Sequence, residues 1–144
     1  MIYITIPIEP KPQSRPRFRR NGMPYELKEM KEYRNEVTRQ CKLQLQDCFE
    51  VLSDMPIKAI VTFYITPPKY ISKVIKNEQA LEDEVLRVYR KPDIDNYVKA
   101  IFDSMSGVVF KDDGMISSMV VEKFYSNNSR TSIMILEGDE IDEY

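Results

Sequence analysis

Apolar and polar residues alternate along this chain with two different periods, and the changes of period divide it into elements. Ile2, Ile4, Ile6 and Ile8 alternate with Tyr3, Thr5 and Pro7. This predicts a strand with one apolar side, at or near a sheet edge because Pro7 has no N–H to donate. From about residue 26 to 50 the spacing lengthens to three or four, through Leu27, Met30, Tyr33, Val37, Cys41, Leu45, Cys48 and Leu52, the stripe of a helix that faces a core. Alternation returns over residues 57–66, with Ile57, Ala59, Val61, Phe63 and Ile65 inward, until Pro67 and Pro68 stop the strand. A short helix is predicted over residues 96–105, with Val98, Ile101, Phe102 and Met105 inward, Asp95 as its N-cap and Gly107 at its C-terminal end. Two strand-like runs, 115–125 and 130–137, flank Ser126-Asn127-Asn128-Ser129, which reads as a hairpin turn.

The order strand, helix, strand, helix, strand, strand implies an α/β fold of the α+β type, a small mixed sheet of about four strands with helices on one face. With 144 residues the chain is expected to form one domain over positions 1–144, with a core that needs no disulfide.

Two stretches fall outside these periods. Pro10, Pro12 and Pro16 hold the chain extended, and five of the ten residues 11–20 are basic (Lys11, Arg15, Arg17, Arg19 and Arg20), with no acid between Glu9 and Glu26. Two readings stand, a solubilising basic turn or a loop that presents cations to phosphates. Residues 69–90 are charge-rich and contain neither glycine nor proline. They read as a mobile or partly helical insertion, either a solvated helix or an element that touches substrate.

Composition narrows the chemistry. The chain has no histidine, which removes Ser-His-Asp and Cys-His nucleophilic systems, histidine-ligated zinc and a histidine general base. Its four glycines, at 22, 107, 114 and 138, are too scattered for a phosphate-cradling loop. Cys41 and Cys48 stand about 10 Å apart along the predicted helix and cannot bridge. As two buried thiols they suit a reducing cytosol. No apolar run approaches the roughly 18 residues of a spanning helix, and Met1 to Ile8 lacks the basic lead and cleavage site of a signal peptide, so a cytoplasmic, membrane-free protein is expected. The net charge of −2 argues against a protein that simply coats nucleic acid, yet a local basic arm still suits phosphates.

Carboxylate and lysine chemistry remains. It concentrates in Lys91-Pro92-Asp93-Ile94-Asp95-Asn96-Tyr97-Val98-Lys99 and in Lys111-Asp112-Asp113-Gly114. Taken singly, each feature has a structural account: Asp95 caps a helix, Lys99 pairs with Asp95 or Asp103 one turn away, and Asp112-Asp113-Gly114 is a turn. Taken together, two acidic pairs and a lysine around one short helix suggest oxygen ligands for a hard cation, Mg²⁺ or Mn²⁺. Such an ion assists phosphodiester cleavage, with Lys99 offsetting charge on the phosphate. Neighbouring residues in extended chain point oppositely, so only one of Asp112 and Asp113 is expected as a direct ligand. The pairs must also come within about a dozen ångströms of each other to share one shell.

The segment from Lys91 to Asp113 resembles the signature of the RusA family of Holliday-junction resolvases, a family frequent in phages and prophages. The likeness extends to Pro12-Gln13-Ser14-Arg15-Pro16-Arg17-Phe18 and to Pro67-Pro68-Lys69. It implies that Asp93, Asp95 and Asp113 bind magnesium with Asp112 assisting, and that Lys99 is catalytic. It also implies a homodimer that nicks opposing strands of a four-way DNA junction. Lys11, Arg15, Arg17, Arg19 and Arg20 are then the cations that hold flanking phosphates. The acidic tail after Glu137 and the charged stretch 69–90 depart from the family pattern. Two rivals remain: a branched-DNA-binding protein that does not cleave, and a small interaction domain whose acids only cap and turn.

Overall fold

The computed structural model describes residues 1–14, 17–25 and 27–143. Its central element is β4 (Ile57–Ile65), the strand whose alternation is cleanest. Ile57, Ala59, Val61 and Phe63 are all fully buried on one face, and β4 takes an inner place in a four-stranded sheet. β1 (Ile2–Ile6) forms one edge, antiparallel to β6 (Arg130–Glu137), and β6 runs antiparallel to β4. β5 (Ile116–Tyr125) forms the other edge and lies parallel to β4, so the sheet is mixed. A two-residue pairing of β2 (Arg17–Phe18) with β3 (Pro24–Tyr25) makes a separate small hairpin.

Helix α1 (Lys28–Gln44) turns Met30, Tyr33, Val37 and Cys41 onto the sheet. Helix α4 (Ile94–Met105) adds Tyr97, Ala100, Ile101, Phe102 and Met105 beside it. These side chains meet Ile4, Ile6, Val61, Phe63, Ile133 and Ile135 in one apolar cluster, so both long helices cover the same face. Between β4 and α4 the charged insertion folds as two short helices, α2 (Lys69–Ser72) and α3 (Glu78–Glu82), and buries Leu81. No helix among the described residues is long and apolar enough to cross a membrane.

Three local expectations change. First, 126–129 is not a hairpin turn, because β4 lies between β5 and β6. Two strand spacings are about 10 Å, within the reach of a four-residue link, and the Ser126 N–H donates to the Ile65 carbonyl at 2.9 Å as the link crosses the end of β4. A polar turn signal is the same for a hairpin and for such an arch. The most apolar strand takes the inner position, since both its neighbours then bury it.

Second, α1 ends at Gln44. The Gln44 side chain pairs with the edge strand, its Nε2 donating to Thr5 O at 2.6 Å and its Oε1 accepting from Thr5 N at 2.9 Å. Cys48 therefore lies beyond the helix and is exposed, whereas Cys41 is buried, and burial pushes the Cys41 thiol up to about 11. Third, the N-cap of α4 is Asp93, in extended conformation, which places Asp95 in the first turn. Gly107, with φ +84°, follows the cap residue Ser106 in the left-handed region that favours glycine.

Candidate active site

Asp93, Asp95 and Lys99 project from the first turns of α4, and all three are exposed. Asp93 holds the cap position, yet its carboxylate makes no capping hydrogen bond. Neither carboxylate forms a hydrogen bond or ion pair with any described residue, and Lys99 pairs with neither Asp95 nor Asp103. The everyday structural roles open to these side chains are thus not taken up.

The segment that leads into Asp93 is held firmly. Lys123 on β5 extends its ammonium to the carbonyls of Arg90 and Pro92, at 3.1 and 3.0 Å, and the Lys91–Pro92 peptide is cis. Upstream, Val88 N donates to Lys123 O at 3.2 Å and Tyr125 N to Leu86 O at 2.9 Å. Residues 86–88 thereby extend the sheet beyond the C-terminal half of β5. Lys123 carried no signal in the sequence: it is one lysine in a strand, and its role depends on what packs alongside.

The basic arm reaches the same end of the molecule. Gln13 N donates to Asn96 O at 2.9 Å, tying the proline-rich loop to the first turn of α4. Beyond it the β2–β3 hairpin carries Arg17, Arg19 and Arg20, all exposed, with the Arg19 guanidinium 5.8 Å from the Tyr25 ring centre. Gly22, at φ +82°, closes the turn. Lys11 is half-buried at the base of the arm. Arg15 lies outside the described residues.

Asp112 and Asp113 stand elsewhere. Asp112 accepts from Gly114 N and caps the single turn Asp113–Met115 that leads into β5. A Cβ at Gly114 would sit 2.8 Å from that carboxylate oxygen. Asp113 is exposed, and its carboxylate is bonded to no described residue. The two acidic pairs are therefore at opposite ends of β5: Ile116 follows one pair, and Lys123 binds the residue before the other. The stretch from Ile116 to Lys123 spans about 23 Å at the rise of an extended strand.

A common shell inside one chain is thus not formed. Among the described residues no group of three or more acidic or cysteine side chains could hold a metal ion. The reason is chain direction. A helix joined by a short connection to a strand beside it runs antiparallel to that strand, so the strand begins where the helix ends. The acids before β5 come after the C-terminus of α4 in the chain, while Asp93 and Asp95 sit at its N-terminus.

Two comparisons bear on what this arrangement serves. A family model described as "Endodeoxyribonuclease RusA" matches residues 7–136, which include the arm, all four acids and Lys99. The chain is also similar to a protein of Bacillus subtilis (strain 168) named "Uncharacterized protein YqaN". The two are 34% identical over 142 residues, covering 94% of this chain and 96% of that protein.

Proposed function

The chain belongs to the RusA family of endodeoxyribonucleases, and from that premise we propose that it is a divalent-metal-dependent enzyme that resolves four-way DNA junctions in the cytoplasm by paired, symmetric nicks. The observation that carries this reading is the set of unengaged groups. Asp93, Asp95, Lys99 and Asp113 are all exposed and free of described partners, although carboxylates and ammonium groups on a surface readily find local ones.

The donor set is all oxygen and suits Mg²⁺ or Mn²⁺. It fits only when two chains contribute, because one chain holds its pairs at opposite ends of β5. We therefore assign Asp93 and Asp95 of one protomer and Asp113 of its partner to each metal centre, with Asp112 fixing the turn that presents Asp113. A symmetric dimer then has two such centres, related by the same two-fold axis as the strands of a four-way junction. When bound, the ion supplies Lewis-acid stabilisation of the leaving oxygen and a more acidic water.

The side chains do the remaining work. Lys99, one turn from Asp95, offsets negative charge that builds on the scissile phosphate. Arg17, Arg19 and Arg20 on the hairpin, together with Lys11 and Arg15, hold flanking phosphates, and backbone contacts of this kind carry little sequence information. The anchor from Gln13 to Asn96 keeps these cations at the same end of the molecule as Asp93.

The test uses a labelled synthetic four-way junction with Mg²⁺ and with chelator. Symmetric nicks in Mg²⁺ alone are expected, and Asp95→Asn should stop nicking while junction binding persists. Binding without nicking by the wild-type protein in Mg²⁺ would favour a junction-binding protein that does not cleave.

A further inference from the structure

Immediately before Asp93 the surface carries two large aromatic side chains that the core does not use. Tyr89 is 81% exposed and Tyr70, on α2, is 58% exposed. The Arg90 guanidinium lies over both rings, 5.3 Å from the centre of Tyr89 and 5.7 Å from that of Tyr70. Arg90 forms no ion pair with any described residue, so its planar group stacks while its N–H edges stay open to an acceptor.

We propose that Tyr70, Arg90 and Tyr89 form a stacking platform for an unpaired nucleobase of the DNA substrate, a specificity element that rests on the nuclease reading. Three observations support it. The backbone beneath the rings is anchored: the Arg90 carbonyl is held by Lys123. The strand-like segment 86–88 is tied to β5, and the bidentate pair of Glu84 with Arg130 fixes its start. A backbone held in this way loses little conformational freedom when a base settles on the rings it carries.

Position is the second support. Asp93 stands four positions after Tyr89, at most about 14 Å of chain. At 3.4 Å per base of stacked strand, a base on Tyr89 lies within about four nucleotides of a phosphate at Asp93. Chemistry is the third. Aromatic faces interleaved with arginine, and flanked in sequence by Lys69 and Lys91, suit single strands, in which bases are free to stack and phosphates are near. At a branch point bases leave the stack more easily than in continuous duplex, whose bases are closed to such a surface.

The test measures equilibrium binding, in chelator, of a thymine oligonucleotide and of the same backbone without bases. Wild type should prefer the base-bearing strand by about tenfold, the scale of one aromatic–base stack. Tyr89→Ala should lose that preference and keep its affinity for the abasic strand, whereas Tyr89→Phe should keep both. Equal wild-type affinity for the two strands overturns the platform, as does a Tyr89→Ala loss that is equal on both. A protein that shows the base preference but nicks no junction keeps the platform and loses the nuclease reading, and the reverse result separates them the other way.

Discussion

Two inactive variants, combined, should regain nicking. Asp95→Asn removes a ligand at the start of α4, and Asp113→Asn removes one before β5. Between the elements that carry these positions lies the Ile116–Lys123 stretch of β5, about 23 Å of extended strand, whereas ligand oxygens sit about 2 Å from a magnesium ion. If each centre draws its acids from two protomers, a mixed dimer has one centre with both defects and one with none. Random pairing of equal amounts makes about half of all dimers mixed, so about a quarter of wild-type centres return. The assay is co-expression of the two variants, purification, and scoring of nicks on a junction labelled in opposing strands. Single nicks at about a quarter of the wild-type level are expected, with almost no paired cleavage. A mixture as inactive as either parent would refute assembly across protomers, because acids gathered from one chain leave every centre of the mixed dimer with one defect.

Lys99→Ala should lower the nicking rate by about 10²–10³ with junction affinity largely kept, the pattern of a charge felt mainly in the transition state; a loss confined to binding would contradict its role. Arg17→Ala should weaken binding evenly across junction sequences and reduce the slope of log affinity against log salt by about one, measured by titration at several salt concentrations. The Glu84–Arg130 pair should be visible in stability. The hydrogen bond from Arg130 holds the Glu84 carboxyl below its ordinary 4.5, so the pair stabilises the fold fully above that value and the contribution is lost as pH falls through the lowered one. Glu84→Gln should cost about 1–2 kcal/mol near neutrality, and denaturant melts should show the gap to wild type closing as the solution is acidified below pH 4.5.

Much of this was legible locally. The period of two along β1 and β4, and the period near 3.6 along α1, are properties of neighbouring residues, and the structure keeps them with shifted ends. The acids, Lys99 and the arginine-rich arm were identifiable because unusual residues crowd into short segments. Other features had no local signature. At the end of α1 the Gln44 side chain pairs with the backbone of a strand 39 residues away. The clamp from Lys123 to Pro92 joins residues 31 apart, across the edge of the sheet.

By itself, then, the sequence determined which segments are helix or strand, which faces are apolar, and which side chains are available for metal and phosphate chemistry, because each follows from spacing along a few turns or pleats. Only the tertiary structure decided that β4 separates β5 from β6, that the basic arm docks at Asn96, and that the two acidic pairs lie at opposite ends of β5. Those outcomes depend on strand order and on the relative direction of packed elements, which burial of the whole core selects and a local pattern does not encode.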